Sequence, residues 1–192
     1  MNQEAPPQKP EQPDIEIVEL NPDDWKQLRD LKLASLTEEP VAFEDTQEGK
    51  EKYESRSEQE WRDILAGKMS GGREGETAMV FAKDADVLVG MVSAIIQADQ
   101  NAEAKEALIQ HMYVRQDRRG TGIGRQLFSG LVEKLRSRGD LAKLKLEVVE
   151  SQLPAIKLYK SHGFTEVGRK KDAINRGGKI LDEIEMELDL SP

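Results

Sequence analysis

The chain has 192 residues, 34% of them charged and 37% hydrophobic, with a formal net charge of −9 and no cysteine. That length suits one domain with a full core, and two would be cramped. The absence of cysteine excludes disulfides and thiolate metal sites, no apolar run approaches the roughly 18 residues of a membrane span, and the acidic balance lacks the broad basic field of non-specific nucleic-acid binders.

Residues 1–13 carry Pro6, Pro7, Pro10 and Pro13 among Gln and Glu, with nothing to bury. They read as a disordered tail ahead of a single domain over 14–192. The N-terminus has neither a basic flank nor an apolar core, which argues against a secretory signal, and the lack of cysteine suits a cytoplasmic protein. Ile15 to Leu20 alternates like a half-buried strand. Asn21, Pro22, Asp23 and Asp24 then open a helix whose stripe is Trp25, Leu28, Leu31 or Lys32, and Ser35. Residues 37–56 are polar and give no firm assignment. Ser57 and Glu60 form a capping box for a helix closed by Gly67.

Gly71, Gly72 and Gly75 mark a loop. The runs TAMVFAK and VLVGMVSAIIQ, separated by Asp84, Ala85 and Asp86, read as a hairpin. ALIQHMYV is the next strand and leads into the glycines. Ile123, Leu127, Leu131 and Leu135 fall at i+4 steps of an amphipathic helix closed by Gly139. KLKLEVV is a strand, PAIKLYKSHGF a short helix, and TEVGR and DEIEMEL two closing strands. The whole is mixed α/β with early antiparallel hairpins and one strand–helix–strand crossover.

The glycine stretch RRGTGIGRQL, Arg118 to Leu127, carries the chemistry. Glycines that open a helix bring backbone N–H groups against phosphate oxygens. A nucleotide-triphosphate loop ends in Gly-Lys-Ser/Thr, but Gly124 is followed by Arg125 and Gln126. A dinucleotide fingerprint needs glycines at relative positions 1, 3 and 6. From Gly120 the sixth position is Arg125, and from Gly122 it is Leu127. Neither motif fits.

Arg119-x-x-Gly122-x-Gly124 resembles the acyl-CoA-binding motif of the GNAT acetyltransferases. The block LEVVESQLPAIKLYKSHGF resembles that family's second signature, and the likeness covers roughly 78–188. The resemblance implies a GNAT fold: a central twisted mixed sheet of about six to seven strands flanked by helices, with a splayed strand pair holding acetyl-CoA. It implies that Met112, Tyr113 and Val114 meet the pantetheine arm through main-chain groups. Arg118, Arg119, Gly120, Thr121, Gly122, Ile123, Gly124 and Arg125 would surround the pyrophosphate, and Gln152, Ala155 and Tyr159 complete the coenzyme site. Gln152 stands where the family has Asn, one methylene shorter.

The implied activity is direct, ternary-complex transfer of acetyl to a primary amine, which is a small molecule or a protein N-terminus. Without cysteine, no cysteinyl acyl-enzyme forms. Tyr159 corresponds to the family's tyrosine that protonates the leaving thiolate; the competing reading is a core tyrosine. Glu106 is the candidate base, since even spacing puts Glu106, Leu108, Gln110, Met112 and Val114 on one face of a regular strand; it also reads as a solvated strand start. His111, read on the face opposite Gln110, and His162 read as structural, and no metal site is expected. An acidic loop with Glu38, Glu39, Glu44, Asp45 and Glu48 reads as solvated or as a cationic-substrate entrance. The alternative function is a non-catalytic acetyl-CoA-binding sensor or interaction module. The acceptor stays open, and homodimers are frequent in the family.

Overall fold

The computed structural model describes residues 15–39, 47–68, 75–97, 105–176 and 178–190. The expected tail, Glu44, Asp45, Gly71, Gly72 and most of the polar turn after Gln97 lie outside these residues. The elements are β1 (Ile15–Val18), α1 (Trp25–Glu38), α2 (Gln47–Glu54), α3 (Glu58–Leu65), β2 (Glu76–Asp84), β3 (Val87–Gln97), β4 (Lys105–Val114), α4 (Ile123–Arg136), β5 (Leu141–Val149), α5 (Leu153–Ser161), β6 (Thr165–Arg176) and β7 (Lys179–Asp189).

Local chemistry sets most of these boundaries. Pro22 opens a 3-10 turn, and the Asp24 carboxylate accepts the Asn21 N–H at 3.0 Å, so α1 proper begins only at Trp25. Ser57 and Glu60 exchange the two hydrogen bonds of a capping box at the start of α3. Helix α2 lies in the stretch that gave no assignment: QEGKEKYE offers no apolar stripe for periodicity to detect.

The seven strands form one sheet in the order β1-β2-β3-β4-β5-β7-β6. Every neighbouring pair is antiparallel except β4 and β5, which the α4 crossover makes parallel. One face packs α4 and α5. Leu127, Leu131 and Leu135 of α4 are fully buried there with Ala107, Ile109, Leu144 and Leu146 of the sheet. Each such leucine contributes about 1.5–3 kcal/mol. The other face packs α1 and α3 over Phe81, Met91 and Tyr113, with Leu28, Leu31 and Trp61 buried between. Beyond the helices this second face carries ion pairs, including Lys143–Glu187 at 2.8 Å and Lys170–Glu147 at 2.7 Å.

Two irregularities of β4 position the site. Its pairing with β5 runs from Lys105↔Leu141 to Ile109↔Leu146 and stops, although β4 continues to Val114 and β5 to Val149. The parallel pair therefore splays. On the other edge, β3 pairs Ser93 with Gln110 and Met91 with Tyr113, so His111 and Met112 stand against Val92 alone. This is a β-bulge, with His111 at φ 56 in the left-handed region.

The bulge corrects two expectations. Ala107 and Ile109 face α4, but past the bulge Met112 and Val114 face α4 instead. Glu106, Leu108 and Gln110 thus lie on the face opposite Met112 and Val114, and the even-spaced row is broken. His111 joins Gln110 on one side rather than facing away from it: Ser93 Oγ meets His111 Nδ1 at 3.0 Å and donates to the Gln110 carbonyl at 3.3 Å.

Candidate active site

The glycines shape the start of α4. Gly122 caps the helix with φ 90 and ψ −3, and Gly120 has φ 77. A Cβ at either position would meet no protein atom within 4 Å, so glycine supplies left-handed backbone there, with clear space over it. Gly124 differs, because a Cβ would touch Met112 Cε at 3.4 Å and Val114 Cγ2 at 3.8 Å. The Gly122 carbonyl is the first acceptor of the helix ladder, taking the Arg125 N–H at 3.0 Å and the Gln126 N–H at 3.2 Å. The N–H groups just ahead of it have no intrahelical acceptor by helix geometry, and they lie at the positive end of the helix dipole.

The three arginines of the stretch divide. Arg118 is held by Asp84 at 3.1 Å and Asp117 at 3.0 Å. Arg119 donates from Nε to the Val114 carbonyl at 2.9 Å and from Nη1 to Glu39 at 2.5 Å. Arg125 is exposed and makes no ion pair among the described residues. Sequence alone grouped all three as phosphate charge; the fold commits two of them to protein partners.

Past Ile109 the β5 edge of β4 is unpaired. The Arg115 N–H donates to the Val89 carbonyl, so by strand alternation the N–H and C=O of Val114 turn toward β5. Arg119 occupies that carbonyl, which leaves the Val114 amide and the Met112 main chain to face the splay. Tyr113 turns the other way: it is buried against α1, and burial with the neighbouring Glu38 carboxylate pushes its phenol above its ordinary range. Thr121 donates its hydroxyl to the Arg118 carbonyl at 2.7 Å and ties the loop. Ile123 is core at 1% exposure.

Tyr159 of α5 is 7% exposed and packs on Phe128, with ring centroids 5.0 Å apart. Burial raises its phenol above the ordinary range, which keeps it protonated and able to donate. Ala155 packs against the same core. Gln152 precedes α5 as its N-cap without a side-chain cap hydrogen bond; its carbonyl accepts the Ile156 N–H at 3.0 Å. His162 bridges helices structurally, with Nε2 at 3.0 Å from Ser129 Oγ and Nδ1 at 3.0 Å from the Leu158 carbonyl.

Two carboxylates of β4 and β5 lie on the face opposite α4. Glu106 is paired with Lys145 Nζ at 2.5 Å. At roughly 3.3 Å per residue it lies about 13 Å along the strand before Gln110. Glu147 follows Leu146, the last β5 residue paired with β4, and so stands where the strands part. Lys170 holds it at 2.7 Å. Sequence reasoning did not single out Glu147, which lies two residues before the end of the strand that leads to the helix carrying Tyr159. Among the described residues no group of three or more His, Cys, Asp or Glu side chains is placed to hold a metal ion. No helix among them is long and apolar enough to cross a membrane.

This geometry coincides with a known family. Residues 25–164 match the model of the acetyltransferase (GNAT) family, and the chain belongs to it. An L-methionine sulfoximine/L-methionine sulfone acetyltransferase of Pseudomonas aeruginosa is 32% identical over 91 residues, 47% of this chain and 52% of that protein. The match thus spans about half the length of the curated relatives. The fold is that of a GNAT-family acetyltransferase of Streptococcus pneumoniae, at TM-score 0.71 and 19% identity over 92% of this chain and 99% of that one. It is likewise that of the ribosomal-protein-alanine N-acetyltransferase of Brucella melitensis, at TM-score 0.64 and 22% identity over 91% and 99%. A third such structure, Arabidopsis thaliana NAA60 in complex with acetyl-CoA, has TM-score 0.66 and 18% identity over 91% and 98%.

Proposed function

We propose that the protein is an acetyl-CoA-dependent N-acetyltransferase that passes acetyl directly to a primary amine. The observation that carries this reading is the splay of β4 from β5 beside the open amides of α4, together with membership of the family. The relatives' names include one that acts on small sulfur amino acids and one that acts on ribosomal-protein alanine, and both kinds of amine fit the reading.

Bound acetyl-CoA supplies a thioester whose carbonyl carbon an amine attacks. The residues present suit it: the amides at Gly122, Ile123 and Gly124, with Arg125, form a cradle for its pyrophosphate. The main chain at Met112 and Val114 faces its pantetheine arm and orients the carbonyl. Tyr159 lies on the α4 side and donates its phenolic proton to the departing sulfur. The base belongs on the opposite face, where the amine arrives. We assign it to Glu147, which stands at the parting of the strands, in place of Glu106, which lies farther back along β4 within the paired region.

The test is calorimetric titration with acetyl-CoA. The wild-type protein is expected to bind saturably and Gly122→Glu to lose binding, because a carboxylate there opposes the phosphates. Gly122→Asn, whose side chain tolerates left-handed backbone, is expected to bind. No binding by the wild type overturns the reading, and binding without turnover of any amine favours a sensor.

A further inference from the structure

The last turn of α1 breaks a local rule. A helix C-terminus repels anions, yet α1 closes on two adjacent carboxylates, Glu38 and Glu39, with no basic residue in its final turn. Both reach across to the loop between β4 and α4. Glu38 Oε2 accepts the Gln116 N–H at 3.0 Å, the first amide of the 3-10 turn Gln116–Arg118. Glu39 Oε1 takes Arg119 Nη1 at 2.5 Å. These two carboxylates are thereby removed from the acidic entrance that the sequence suggests for a cationic substrate.

Arg119 links this pair to the splay. Its Nε donates to the Val114 carbonyl at 2.9 Å, on the part of β4 that β5 has left. A guanidinium is a planar fork, so holding Nη1 on Glu39 fixes the direction in which Nε points. The Arg119 side chain is 40% exposed, so without the carboxylate it is free to swing into water. With the clasp closed, the Val114 carbonyl is filled, and the end of β4 offers a ligand in the splay only the Val114 N–H. A chain that would pair with either group is then held to one register. Arg118 steadies the same loop from Asp84 at the end of β2, at 3.1 Å.

We propose that Glu39 is a positioning residue of the transfer reaction, acting through Arg119 to keep the Val114 carbonyl covered. The coenzyme's pantetheine arm then takes the Val114 amide alone, which delivers the thioester in one register. Glu38 seats the start of the same loop through Gln116. The inference rests on the acetyltransferase reading for the identity of the ligand, and on the clasp itself for the role of Glu39. Two acids at a helix end are the kind of local exception that functional sites carry.

The experiment titrates the full-length protein with acetyl-CoA and with 3′-phosphoadenosine 5′-diphosphate, which has the coenzyme's phosphates but no arm. Glu39→Gln is expected to weaken acetyl-CoA binding about tenfold, the usual worth of a hydrogen bond between charged groups. The same variant is expected to bind the armless nucleotide as the wild type does. Glu39→Asp, which keeps the charge, is expected to recover part of the loss. In an Arg119→Gln background, Glu39→Gln is expected to cost nothing further, because the two residues act as one unit. An unchanged Kd for acetyl-CoA in Glu39→Gln overturns the proposal and leaves the coenzyme site standing. Equal weakening of both ligands, or additive losses in the double variant, also overturns it, since the carboxylate then acts on the fold or the phosphates rather than on the arm. No binding of acetyl-CoA by the wild type overturns both the proposal and the reading beneath it.

Discussion

The two faces of the sheet at β4 are built in different ways. On the α4 side the cradle comes from one continuous stretch, Val114 to Gly124, in which strand end, turn and helix start follow directly. On the α1–α3 side a cluster of cations and rings draws Lys32, Tyr53, Arg56, Trp61 and His111 from four elements and the turn before α3. The first is set by backbone conformation: two left-handed glycines and a helix terminus with open amides. The second is set by burial and charge. Main-chain geometry of the first kind is fixed by a short motif, whereas a cluster of the second kind exists only where packing brings separate side chains together.

Tyr159→Phe gives the sharpest test of the first face. We expect kcat to fall about 100-fold or more, the usual scale of a lost general acid, with the Kd for acetyl-CoA unchanged by calorimetry. An unchanged kcat returns Tyr159 to a packing role against Phe128. Glu147→Gln tests the second face beside the splay. Its kcat is expected to fall roughly tenfold to 100-fold at neutral pH and to recover toward wild type at alkaline pH, where the amine loses its own proton. Glu106→Gln is expected to leave kcat intact, and the reverse ranking in steady-state assays would return the base to Glu106.

The smallest effect concerns stability. Lys32 is lowered from 10.5 to about 7 in the folded protein. Between those values the unfolded chain binds more protons, so the lysine's contribution to stability rises with pH across the window and is lost as pH falls toward 7. Lys32→Met removes the buried cation and keeps its length. It is expected to be more stable than wild type near pH 7 by on the order of 1–3 kcal/mol, an advantage that shrinks as pH approaches 10 in thermal melts. A constant difference across that range would mean that the ammonium is solvated.

The sequence by itself determined the order of most elements, the capping box at Ser57, the α4 stripe and the glycine turn that opens α4. In each of these, residues a few positions apart decide the conformation, and periodicity or turn chemistry records it. Only the tertiary structure decided that Arg118 and Arg119 are spent on Asp84 and Glu39, 34 and 80 residues away. It alone placed a bulge at His111, which turned Glu106 and Met112 to opposite faces, and it alone put Glu147 at the parting of β4 and β5. A bulge is fixed by the register with a neighbouring strand, and a buried charge cluster by the packing of separate helices; both come from contacts distant along the chain, which no local pattern of residues encodes.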